Sequence, residues 1–150
     1  MSTISLEDQL VVAIQLGLAA FLSAIIGLDR ERLNKHAGLR THILVGVGSC
    51  LFTALSLFAF PNSETSRIAA QIVTGIGFLG AGAILKEHNR VHGLTTAASI
   101  WATAAVGMSV GVGAWFLAII ATLLIWIVLA VVLRVAEDID NKHAPRETSD

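Results

Sequence analysis

G-L-T-T-A-A-S-I-W-A-T-A-A-V-G-M-S-V-G-V-G-A-W-F-L-A-I-I-A-T-L-L-I-W-I-V-L-A-V-V-L, residues Gly93 to Leu133, holds no Asp, Glu, Lys, Arg or His in 41 positions. A straight helix of that length measures roughly 60 Å, about twice the hydrocarbon thickness of a bilayer. The stretch therefore reads as two spans rather than one. Glycine permits a tight reversal at G-V-G, Gly111 to Gly113, and Trp115 just beyond it fits an aromatic anchor at the water boundary.

Upstream, three further apolar stretches approach the roughly 20 residues that a membrane helix needs. The five spans expected run over about 10–28, 41–60, 68–85, 93–110 and 114–133. Between them lie D-R-E-R-L-N-K-H-A-G-L-R (Asp29–Arg40), P-N-S-E-T-S-R (Pro61–Arg67) and K-E-H-N-R-V-H (Lys86–His92). The composition agrees, with 55% of 150 residues hydrophobic and 14% charged; soluble domains hold about 45–50% and about 25%. A soluble fold, disorder, a collagen repeat and a disulfide scaffold are excluded, and the one cysteine, Cys50, has no internal partner. The expected fold class is an all-α integral membrane protein, a bundle of about five transmembrane helices. Residues 1–134 form the transmembrane domain, and residues 135–150 form a short polar cytoplasmic tail that extends the last helix briefly and then frays.

Orientation follows from the basic residues. Arg30, Arg32, Lys35, Arg40, Lys86, Arg90, Arg134, Lys142 and Arg146 fall on one side of the five spans, and Arg67 alone falls on the other. This predicts the N-terminus outside and the C-terminus in the cytoplasm. The first span follows Glu7 and Asp8, and its apolar run is longer than the usual 7–15 residues of a signal peptide, so it reads as a retained helix. A net charge of −1 gives no reason to expect a nucleic-acid partner.

Small residues recur at helical spacing: Ala13, Gly17, Ala20, Ala24 and Gly27; Ala70, Thr74, Gly77 and Ala81; Thr95, Ser99, Thr103, Gly107 and Gly111. Such stripes let membrane helices approach closely, within one bundle or between copies. The fifth span has no comparable stripe and reads as lipid-facing. Gly75, Gly77 and Gly80 spell G-x-G-x-x-G, continued by Gly82, but a dinucleotide fingerprint needs a strand–turn–helix context. A glycine-softened helix is the better reading here. Gln15 and Gln71 are the only amides within the spans, and Gln71 is expected to bond to a neighbouring helix. No carboxylate lies within the predicted membrane core, whereas a magnesium path usually needs carboxylates or a dense ring of oxygens. No Walker A sequence is present, which excludes an ATP-driven pump, and no cofactor is implied.

The predicted cytoplasmic rim carries Asp29, Arg30, Glu31, Arg32, Arg40 and Thr41. Asp29 at a helix C-terminus and Arg40 at a helix N-terminus each have the wrong sign for their own dipole. A pairing of Asp29 or Glu31 with Arg40 would offset both, beside the plainer reading of a topology loop or a ligand or partner site. His36, His42, His88 and His92 also fall on or beside this rim, where metal or proton sensing is conceivable, although no thiolate accompanies them.

G-L-D-R-E-R (Gly27–Arg32) with A-G-L-R-T-H (Ala37–His42), R-I-A-A-Q-I-V-T-G-I-G-F-L-G-A-G (Arg67–Gly82) and G-L-T-T-A-A-S-I-W (Gly93–Trp101) resemble the signatures of the MgtC/SapB family. The resemblance covers most of Gly27 to Gly113 and implies a multi-pass protein of the bacterial inner membrane with about five spans. It further implies a link to low-magnesium adaptation, to survival inside macrophages in pathogens, and to regulation of other membrane proteins, the ATP synthase included. Many members continue into a cytosolic ACT-like domain, and this chain stops before one could form. Some members carry Asn where this chain has Thr95. Carried over residue by residue, the positions of interest are Asp29, Arg30, Arg40, Thr41, Gln71, Gly80 and Thr95, none of them catalytic.

Two functions follow. One is a non-enzymatic modulator of a membrane-protein partner, or a self-associating protein, linked indirectly to magnesium homeostasis. The other is an oligomeric transporter or channel for Mg2+ or another small solute. The residues that would carry either are Asp29, Arg30, Glu31, Arg40 and Thr41 at the rim, with no metal ligands among them. Within the bundle they are Gln71, Thr74, Gly75, Gly77, Gly80, Gly82, Thr95 and Thr96. Facing of a polar cavity by Gln71, Thr74, Thr95, Ser99 and Thr103 favours transport, and burial between packed helices favours modulation.

Overall fold

A computed structural model describes residues 4–58, 65–87 and 90–143. The described residues form five helices and one hairpin: α1 (Leu6–Arg32), α2 (Leu39–Phe58), α3 (Thr65–Gly82), β1 (Leu85–Glu87), β2 (Arg90–His92), α4 (Leu94–Gly111) and α5 (Trp115–His143). Each helix overlaps one of the apolar stretches. α1, α2 and α4 are long and apolar enough to cross a membrane, and α5 carries a shorter apolar run over Trp115–Val131. Residues 59–64, His88, Asn89 and the end of the tail from 144, for which a span end, loops and a frayed end were expected, lie outside the described residues.

Local chemistry sets the helix ends. Ser5 caps α1, its Oγ accepting from the Asp8 N–H at 3.1 Å, with Glu7 and Asp8 favourably placed in the first turn. The charged segment Asp29–Arg40, expected to bound the first span, is helical at its start, and α1 continues through Arg32. It stops at Asn34, whose φ of 50° is left-handed. The Asn34 N–H bonds the Glu31 carbonyl and the Lys35 N–H the Arg30 carbonyl, both at 3.0 Å, which is a Schellman turn. α4 ends the same way: Gly113, at φ 80°, donates to Val110 O and Ala114 donates to Ser109 O, each at 2.9 Å. The reversal predicted at G-V-G is present. Between α3 and α4 the expected loop is an antiparallel hairpin pairing Leu85 with His92 and Lys86 with Val91.

α1, α2 and α4 form the centre, with α3 against α4 and α2, and α5 against α4 and α1. One buried cluster joins Ala19, Leu22, Ile26, Cys50, Val106, Val110, Ala118 and Leu129; a second joins Ala37, Val45, Ile72, Ile76, Ile100 and Ala104. The α4 stripe is buried from Ser99 to Gly111, while Thr95 at its start is exposed. A Cβ on Gly107 would collide with the Gly46 carbonyl, and one on Gly111 would come within 2.7 Å of Cys50 O and 2.8 Å of Thr53 Cβ. Lipid supplies no hydrophobic drive between helices, so such close backbone contact is what holds them.

The other two stripes are placed differently. On α1 the buried face is Gln15, Ala19, Leu22, Ser23, Ile26, Gly27 and Arg30; of the predicted stripe only Gly27 is buried. On α3 the packed side is Ile72, Ile76 and Gly80, while Ala70, Thr74, Gly77 and Ala81 all face outward. α5 does show large side chains outward, Phe116 among them, yet Ala118, Thr122 and Leu129 form a buried row that the sequence did not suggest. Small residues on several sides of an apolar helix are equally compatible with packing, so spacing alone did not choose the face.

Candidate functional site

The C-terminus of α1, the N-terminus of α2, the end of α3, the hairpin and the start of α4 meet at one end of the bundle. At their centre is Arg30, with no exposed surface. Its Nη2 donates to Asp29 Oδ2 at 2.8 Å, the one ion pair among the described residues, and also lies 3.4 Å from the Leu129 carbonyl. Its Nε and Nη1 have no hydrogen-bond partner. Burying a guanidinium with two unmatched nitrogens, three N–H donors between them, is costly, because water no longer satisfies them.

Arg30 lines a cavity of about 250 Å³ together with Asn34, Lys35, His36, His92, Gly93, Thr95 and Thr96. The Schellman turn at Asn34 bends the chain so that Lys35 and His36 return over the end of α1. The hairpin delivers His92 from the other side. Gly93 adopts φ 86° and starts α4 without a side-chain cap. A Cβ there would collide with the Ala83 carbonyl, so glycine lets the hairpin pack against the end of α3. The first turn of α4, with Thr96 buried and Thr95 exposed, thus borders the cavity with its positive dipole end.

The expected partnering of Arg40 does not occur. Arg40 is exposed, Asp29 is held by Arg30, and Glu31 Oε2 accepts from the Leu39 N–H at 2.9 Å. Glu31 thereby caps α2 directly, and Gly38 leaves the room its carboxylate occupies. Thr41 lines a separate cavity of about 260 Å³ with His36, Leu79 and Gly82. His42 stands inside the helix interface, fully buried, not in a loop. Its Nδ1 is 2.8 Å from Gly38 O and its Nε2 3.1 Å from Ser99 Oγ. A carbonyl accepts only, so Nδ1 carries a proton. The Ser99 hydroxyl has two acceptors for its single proton, Nε2 and the Thr96 carbonyl at 2.8 Å.

The polar residues of the spans do not converge. Ser99 and Thr103 are buried between α2 and α4, and Thr103 donates to Ser99 O at 2.8 Å. Thr74 is exposed and donates to Ala70 O within its own helix. Such back-bonding satisfies a hydroxyl without a partner helix. Gln71, expected to bond a neighbouring helix, is exposed. With Gly75 it borders an apolar groove of about 570 Å³ between α2 and α3, opposite Leu44, Gly48 and Phe52. Gly80 packs on Ala97, while Gly77 and Gly82 have open space beside them. Among the described residues no three His, Cys, Asp or Glu side chains gather as metal ligands. In the sequence Lys35, His36 and His92 are legible only as rim charges and histidines; for Asn34 the available signal is an asparagine directly after E-R-L, a residue that tolerates the left-handed turn that ends a helix.

The fold and this rim define a small, mainly helical membrane protein with a cationic cavity at one end of its bundle. The chain belongs to the MgtC family, whose model matches residues 16–138. A protein of Escherichia coli (strain K12) named "Putative magnesium transporter YhiD" is 44% identical over 138 residues, covering 87% of this chain and 64% of that one. "Protein MgtC" of Brucella abortus (strain 2308) is 48% identical over 107 residues, covering 71% and 45%. "Protein MgtC" of Salmonella typhimurium is 47% identical over 107 residues, covering 71% and 46%. The chain thus spans less than two thirds of the length of these relatives. No solved structure matches it.

Proposed function

We propose that the protein is a multi-pass protein of the bacterial inner membrane that acts as a non-enzymatic modulator, through its helices, on a membrane partner or a second copy. All five helices cross in this reading, with the N-terminus outside and the cationic rim and C-terminus in the cytoplasm. The charge asymmetry of the loops supports that orientation. The link to magnesium homeostasis is carried from the family and from the relative named as a magnesium transporter, and is indirect.

One observation carries the choice of modulation. Of the side chains that would line a path, Ser99 and Thr103 are buried and bonded to the backbone of α4, while Thr95 is exposed at its start and Gln71 and Thr74 are exposed on α3. An amide exposed at bilayer depth is satisfied best by another protein surface. The rim opposes a divalent cation as well, since Arg30 and Lys35 line its cavity. The second reading, a transporter assembled from several copies, draws on the relative's name and on Gln71 bordering the α2–α3 groove.

Gly77→Leu tests the modulator. A Cβ at Gly77 meets nothing within 4 Å in one copy and the position is exposed, so the variant should reach the membrane at the normal level and melt normally. Restoration of growth in low magnesium to a strain lacking the protein should nonetheless be lost. Full complementation by Gly77→Leu and Gly75→Leu would contradict the reading.

A further inference from the structure

We propose that the cavity under the α4 N-terminus is a binding site for a phosphate group, carried by an anionic lipid headgroup or by free inorganic phosphate. Three observations converge on it. Arg30 lines it with almost no exposed surface and holds two guanidinium nitrogens, three N–H groups in all, that no protein atom satisfies. Asp29 answers only Nη2, so the guanidinium is half-matched, as a site for a second anion requires. Beside Arg30 stand Lys35, His36 and His92, and among the described residues no carboxylate lines the cavity.

The start of α4 supplies the rest. Its first-turn N–H groups carry the positive end of the helix dipole, no side chain caps them, and Thr95 and Thr96 add hydroxyl donors. Donors from a guanidinium, an ammonium, hydroxyls and a helix N-terminus suit a tetrahedral oxyanion. The same set repels a metal cation. A volume of about 250 Å³ takes a phosphate and a short ester arm but not a whole nucleotide with its base. Because α1 and α4 both leave the apolar zone here, a lipid phosphate lies at the right depth. The proposal stands whether the protein modulates a partner or transports a solute; only its lipid source rests on the membrane orientation given above.

The test uses the full chain in phosphatidylcholine nanodiscs, followed by thermal unfolding. In one arm inorganic phosphate is added against chloride at equal ionic strength; in the other, phosphatidylglycerol is introduced into the nanodisc. A rise in melting temperature is expected in at least one arm, and the responding arm identifies the source. Lys35→Gln and His92→Gln, both at the wall of the cavity, should each raise about tenfold the phosphate or phosphatidylglycerol level needed for the same rise, the loss of roughly one charge-assisted hydrogen bond. Arg30→Gln should abolish it; if that variant does not fold, the two wall variants decide. No rise in either arm, or a rise that the variants retain in full, would overturn the proposal.

Discussion

Gly107 and Gly17 are both helical glycines in apolar surroundings, yet their neighbours differ completely. A Cβ on Gly107 collides with the Gly46 carbonyl, whereas one on Gly17 meets nothing within 4 Å. Gly107→Ala should therefore destabilise the bundle by about 1–3 kcal/mol, since the collision is with backbone and the helices must separate. Gly17→Ala should be neutral or stabilise by about 0.5–1 kcal/mol through helix propensity. Thermal melts in one detergent check the pair. Similarly, Ser99→Ala removes the group facing His42 Nε2 inside a closed interface. A loss of about 1–3 kcal/mol is expected, measured against Ser109→Ala, whose hydroxyl is exposed and bonds only its own helix.

At the scale of elements, what could be read in advance was hydropathy and the turns. The 41 uncharged residues from Gly93 dictated two helices, and Gly113 duly closes α4 with a left-handed turn. The packing face was harder to read. In soluble helices polarity marks the outside, but here Gln15, Ser23 and Ser99 are buried while Phe78 is 82% exposed. Polarity therefore gave no compass, and the α1 and α3 stripes were placed on faces that do not pack. The rim was legible only in part. Asp29, Arg30, Glu31, Thr95 and Thr96 could be singled out, but not that Arg30 turns toward Thr96, since nothing local links α1 to α4. Two capping devices make this end rigid. Glu31→Ala uncaps α2 and should cost about 0.5–2 kcal/mol. Asn34→Val places a branched residue at a left-handed φ and should cost about 1–2 kcal/mol, whereas Asn34→Gly should be tolerated. Urea or thermal unfolding of the three variants checks this.

For the whole molecule, close-packed α1, α2 and α4 form a stiff unit that leaves α3 with one face free. Its Gln71, Thr74 and Gly77 are exposed, and Ser99 and Thr103 of α4 are buried away from them, so among the described residues a single copy shows no continuous polar route. On the reading proposed above, the protein modulates through a face and does not conduct through its core. The most direct measurement is magnesium uptake into proteoliposomes holding the purified chain, with Gln71→Leu alongside. Uptake no faster than in protein-free liposomes is expected for both; saturable uptake that Gln71→Leu abolishes would overturn the modulator reading.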